Sequence, residues 1–173
     1  ADIVPKHLLV VGSGAIGIEF ASFFNSFGSE VTVVEVMDRV LPAEDAEISD
    51  LAHKAFHKEG IKILTSATVK SLKKGKDSVK ATLKIGNKTT NYTFDRVILA
   101  VGIVGNVENL GLEGTNVKIV NSHIEIDQWC QTGEAGVYAI GDVTGPPWLA
   151  HKASHEGVIC VEKIAGEKNV CRL

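Results

Sequence analysis

The chain has 173 residues, 45% of them hydrophobic and 23% charged, enough apolar matter for one good core or for a domain and part of a second. A net charge of −3 argues against a nucleic-acid footprint, and no apolar run reaches the ~20 residues of a membrane span. Three cysteines at long spacings, Cys130, Cys160 and Cys171, read as reduced thiols of an intracellular protein, not as a disulfide framework or a zinc site, and the first residues lack the charged and apolar regions of a signal peptide.

Leu8-Leu9-Val10-Val11 reads as a buried strand, and Gly12-Ser13-Gly14-Ala15-Ile16-Gly17 follows it as a glycine-rich turn into a helix. This is G-x-G-x-x-G in the context that dinucleotide binding requires. Gly12 allows the tight turn, Gly14 lets backbone approach a pyrophosphate, and Gly17 lets helix and strand pack closely. The helix start then offers free N–H groups and a positive dipole end to phosphates. Ile16, Phe20, Phe23, Phe24 and Phe27 form the expected apolar stripe, and Gly28 ends the helix.

A second strand, Val31 to Glu35, ends in a carboxylate 18 residues past Gly17, close to the expected ~20. A carboxylate there accepts hydrogen bonds from ribose hydroxyls and repels a 2′-phosphate, which favours NAD over NADP. Arg39, close by, keeps NADP open as a second possibility. Further on, the pattern predicts a loop over Met37 to Ala43, a helix from Glu44 to Glu59, a stop at Gly60 and a third strand at Ile61 to Leu64.

Three strands of an antiparallel meander are then expected, Thr68 to Leu72, Ser78 to Ile85 and Thr89 to Phe94, covering one face of the parallel sheet. Arg96 to Gly102 reads as a buried strand closing that sheet. The fold class is therefore α/β, a doubly wound, Rossmann-like parallel sheet with a β-meander insert, followed by a partial second segment. The domain boundary is placed at residues 105/106: an NAD-binding domain over 1–105 and an incomplete central segment over 106–173. In the latter, short strands are expected at Lys118 to Val120 and His123 to Ile126. An apolar strand from Gly136 to Asp142, a Gly-Pro-Pro turn and a helix from Leu149 to Ala165 complete it.

Tyr138-Ala139-Ile140-Gly141-Asp142-Val143 is similar to the second flavin motif of the two-dinucleotide flavoproteins. The run Gly145-Pro146-Pro147-Trp148-Leu149-Ala150-His151-Lys152-Ala153-Ser154-His155-Glu156-Gly157 narrows the likeness to the dihydrolipoamide dehydrogenases of the flavoprotein disulfide reductase family. Cys130-Gln131-Thr132 resembles that family's Cys-Arg-Thr, and the likeness extends back to Pro5-Lys6-His7-Leu8. The resemblance implies NAD held by Gly12, Ser13, Gly14, Ala15, Ile16 and Gly17, with Glu35 on the adenosine ribose, Val69 near the adenine and Gly102 closing over the cofactor. It implies that Asp142 holds the ribityl chain of FAD and that Trp148, Leu149, Ala150 and His151 line the flavin. Glu19 matches a carboxylate that pairs with a lysine near the flavin, a lysine this chain does not carry; it is equally a first-turn acid favoured by the helix dipole.

The family's Gly-Arg-x-Pro-Asn is here Gly102-Ile103-Val104-Gly105-Asn106, without the arginine and proline. His53/His57 and His151/His155 stand at i, i+4 without a third ligand, so no metal is expected. The family reaction takes electrons from dihydrolipoamide through a protein disulfide and FAD to NAD⁺. The chain has no Cys-x4-Cys, no first FAD fingerprint and no His-Glu dyad, so the resemblance implies no catalytic residue here. It implies a middle fragment that binds NAD, holds no stable FAD by itself and belongs to a parent that is homodimeric and meets a lipoyl domain. The expected compartment is the bacterial cytoplasm or the mitochondrial matrix. Part of another disulfide reductase and a free-standing nucleotide module remain the alternatives.

Overall fold

Alternation along the first strand decides the layering. The computed structural model describes residues 3–170. β1 (His7–Val11) pairs in parallel with β2 (Glu30–Val34) on one side and β7 (Arg96–Leu99) on the other, and β2 pairs with β3 (Lys62–Leu64). The strand order is β3-β2-β1-β7. Successive side chains on a strand point to opposite faces. Leu8, Val10, Val31 and Val33 therefore meet one layer, where they pack with Ile18, Ala21, Val40 and Ile61 and with Phe24 and Phe56 of the two helices. Leu9 and Val34 meet the other layer, a cluster with Ala67, Ala81, Leu83 and Phe94.

The second cluster belongs to the meander β4 (Ala67–Lys74), β5 (Val79–Ile85) and β6 (Lys88–Phe94), a separate antiparallel sheet. It covers the face that a crossover helix would otherwise take. The helices on the opposite face are α1 (Ala15–Ser26) and α2 (Ala46–Lys58). The Asp45 side chain caps α2 by accepting from the Glu47 N–H at 2.9 Å.

α1 departs from expectation. Its buried residues are Gly17, Ile18 and Ala21, with Phe24 packed on the core, while Ile16, Phe20, Phe23 and Phe27 are 43–62% exposed. Small residues let the helix lie close against the strand, and that close approach selects the buried face over the larger phenylalanines. Helix α1 starts at Ala15, so Glu19 sits in its second turn and the first turn holds no acid. β7 is also shorter than expected and lies at a sheet edge. Leu99 and Val101 are therefore 64% and 74% exposed.

The chain divides into two compact units, the first ending at Gly102 and the second starting at Ile103. The second holds β8 (Ile119–Val120) paired with β9 (His123–Ile124), a single 3-10 turn at Gly141–Thr144 and α3 (Ala150–Ile164). The strand expected over Gly136 to Asp142 does not form. An apolar run becomes a strand only where a neighbour receives its hydrogen bonds. Here Tyr138 makes one isolated bridge to Gln131, and Gly141, at φ +78°, turns the backbone into the 3-10 turn. Cys171 lies outside the described residues.

Candidate functional site

In the first unit the site is assembled at the carboxyl ends of β1, β2 and β7, beside the point where the sheet order reverses, which is where open α/β sheets bind ligands. Gly12 leaves β1 at φ +99°, and a Cβ there would collide with the carbonyl oxygen of Ala100. A Cβ on Gly17 would strike the carbonyl oxygen of Gly12. These two glycines are demanded by the protein's own packing. Gly14 is not: its φ of −66° suits any residue, and a Cβ would meet no atom of the described residues within 4 Å. It also stands at the N-cap of α1, where no side chain caps the helix.

Glu35, immediately after β2, is buried at 6% exposure and points into this turn. One carboxylate oxygen accepts from the Ser13 N–H at 2.7 Å and the Ser13 hydroxyl at 2.8 Å; the other accepts from the Met37 N–H at 2.8 Å. The Ser13 carbonyl accepts from the Leu41 N–H at 2.9 Å. Burial pushes the carboxyl pKa up, but the N–H groups of Met37 and Ser13, the Ser13 hydroxyl and the Val36 N–H outweigh it, and the net shift is downward. The carboxylate's contribution to stability is therefore whole above the ordinary carboxyl range and is lost as pH falls through the lowered folded value. Val69 lies in β4 with its side chain packed on the meander core, next to a register shift between Val69 and Ser71. Gly102 is exposed at φ +120° with open space around it, and Glu19 is exposed on α1. Arg39 meets Asp38 at 3.3 Å on the surface.

The second unit carries a separate group of residues. Asp142 is exposed at the 3-10 turn, and Trp148, Leu149, Ala150 and His151 are exposed at the start of α3, again without a side-chain cap. The Trp148 ring lies 5.8 Å from His123. Behind this row sits a pair that no sequence motif marks. The Lys152 ammonium meets Glu156 Oε1 at 2.9 Å, Thr144 Oγ1 at 3.0 Å and the carbonyls of Gly145 and Gly141 at 3.1 and 3.3 Å. Glu156 Oε2 accepts from the Gly141 N–H at 2.6 Å. Both side chains are largely buried and together tie the Gly141–Gly145 turn to α3. A Lys and a Glu four apart on a helix ordinarily read as a surface pair; only their place just after Gly141-Asp142 hinted at more.

The family model described as pyridine nucleotide-disulphide oxidoreductase matches residues 1–157. This chain belongs to the pyridine nucleotide-disulphide oxidoreductase family. Among members of that family, a dihydrolipoyl dehydrogenase of Rhizobium etli is 56% identical over 170 residues, which are 98% of this chain and 35% of that protein. One of Bacillus subtilis is 41% identical over 165 residues, 94% of this chain and 35% of that protein. The crystal structure of LpdA from Mycobacterium tuberculosis superposes with a TM-score of 0.88 at 32% identity, covering all of this chain and 37% of that one. The HOCl-induced flavoprotein disulfide reductase RclA of Escherichia coli matches at 0.88 and 26% identity, over 98% and 38% of the two chains. The chain thus spans about a third of the length of the pyridine nucleotide-disulphide oxidoreductases it matches.

No helix among the described residues is long and apolar enough to cross a membrane. No three His, Cys, Asp or Glu side chains among them are placed to hold a metal ion.

Proposed function

We propose that the first unit binds NAD(H) as the electron acceptor site of a dihydrolipoyl dehydrogenase, and that the second unit supplies the flavin-facing segment of the same enzyme. The observation that carries the reading is Gly14. Its open side needs no glycine for folding, and it lies between an uncapped helix start and a pinned carboxylate. That combination fits a pyrophosphate on backbone N–H groups and ribose hydroxyls on Glu35. Gly12, Ala15, Ile16 and Gly17 would line the pyrophosphate, Val69 the adenine, and Gly102 the cofactor's far side; Ser13, buried with its N–H and hydroxyl on Glu35, stands behind them instead of touching the phosphates. Asp142 would hold the ribityl chain of FAD, with Trp148, Leu149, Ala150 and His151 along the flavin; Glu19 belongs with the NAD-side residues.

Bound at these sites, the flavin and the nicotinamide supply the hydride chemistry by which dihydrolipoamide is oxidised and NAD⁺ reduced. This chain's residues bind and orient: α1 places positive backbone N–H groups, Glu35 fixes the ribose end, and the Lys152–Glu156 pair sets the turn that presents Asp142. The 56% identity to a dihydrolipoyl dehydrogenase favours this enzyme over other disulfide reductases. The parent is proposed to be a homodimer that takes electrons from a lipoyl domain in the bacterial cytoplasm or the mitochondrial matrix.

Calorimetry with NADH tests the site. Glu35→Ala is expected to weaken binding by about tenfold or more, as a charged hydrogen-bonding group is lost. Unchanged affinity would remove Glu35 from the site.

A further inference from the structure

G-x-G-x-x-G asks nothing of its second residue, yet Ser13 is completely buried with all its polar groups engaged. Its N–H and hydroxyl both donate to the same oxygen of Glu35, and charge-assisted bonds of this kind are the strong ones. With the Met37 N–H on the other oxygen, the carboxylate is held from both sides. What it then offers a ligand is acceptor capacity alone. A ribose hydroxyl can donate to it, whereas a 2′-phosphate meets fixed negative charge. A carboxylate free to turn outward would leave room for that phosphate, and a cation is at hand to receive it. Among the described residues, the Arg39 partner is Asp38, in an exposed pair worth little.

We propose that Ser13 is a specificity-determining positioning residue, which excludes NADP(H) by locking Glu35 into the nucleotide site. This rests on the nucleotide reading of the first unit. Ser13 acts through Glu35 and needs no contact with the nucleotide itself.

The test is titration of the 173-residue chain with NADH and with NADPH. Ser13→Ala and Ser13→Gly both remove the hydroxyl, and the glycine variant adds no bulk. Each is expected to narrow the NADH-over-NADPH affinity ratio by about tenfold, mainly through tighter NADPH binding. The Glu35 carboxyl, followed by carbon NMR, is expected to titrate at higher pH in both variants. A packing role alone would move neither the ratio nor that titration. If both variants keep the ratio while Glu35→Ala collapses it, Glu35 discriminates without Ser13 and the proposal is overturned. If the chain fails to bind NADH, or Glu35→Ala leaves NADH affinity intact, the nucleotide reading itself fails and takes this inference with it.

Discussion

Gly14 and Gly17 are the same residue put to opposite uses. Gly17 is needed because Gly12 backbone lies against it, whereas nothing among the described residues crowds Gly14. Gly17→Ala should therefore cost about 2 kcal/mol in chemical denaturation, as overpacking does. Gly14→Ala should cost no more than about 1 kcal/mol, the N-cap preference of glycine over alanine, yet lower NADH affinity. Equal stability losses in the two variants would contradict the division. Cys130 gives a second residue-scale expectation. Burial, then the negative charge of Glu156, pushes its thiol up to about 11, so little thiolate forms near neutral pH. Mass spectrometry should find Cys130 unalkylated by iodoacetamide in the folded chain and alkylated in denaturant; rapid labelling of the folded protein would refute this. The turn at Gly12 and the close packing of Gly17 on Gly12 could be read from the motif because both are local, whereas the approach of Ala100 to Gly12 could not. The bonds of Ser13 could not, since Glu35 lies 22 residues away and the motif leaves position 13 open.

Among the elements, β1, α1, β2 and the three meander strands were legible because each carries its period within its own residues. The buried face of α1 was not. Counting large apolar residues selects the phenylalanines, but the strand accepts whichever face lets the backbone come closest. The Gly136–Asp142 run failed for the complementary reason, because strand formation depends on a partner that no local pattern describes. The element most dependent on long-range contact is the Gly141–Thr144 turn, held to α3 by Lys152 and Glu156. Removing one member of a buried ion pair strands the other. Glu156→Ala should accordingly lower the unfolding free energy by about 3 kcal/mol in urea. A change below about 0.5 kcal/mol would place the pair among ordinary surface contacts.

For the molecule as a whole, both large apolar clusters are built from residues before the division at Gly102. The second unit has a smaller buried set, Ile124, Cys130, Ala139, Ile159 and Cys160. It also leaves Leu149, Val158, Val161 and Ile164 between 45% and 64% exposed. Apolar surface of this kind drives association in water. Light scattering of the isolated chain is expected to show concentration-dependent self-association, and a monomer throughout would count against it. The change to Gly- and Asn-rich connections points to a boundary at residues 105/106, while the compact units part between Gly102 and Ile103. The weight of each core cannot be read from composition, because it depends on which strands find partners.

The helix starts differ in one respect that reaches beyond binding. Asp45 closes the first turn of α2, whereas α1 and α3 begin at Gly14 and Leu149 with no side chain on their leading N–H groups. A capping side chain is worth about 1 kcal/mol. The first turns of α1 and α3 forgo that contribution. Under the proposed function the missing caps are the ones a bound dinucleotide would supply, so cofactor binding would stabilise these helix starts along with the fold.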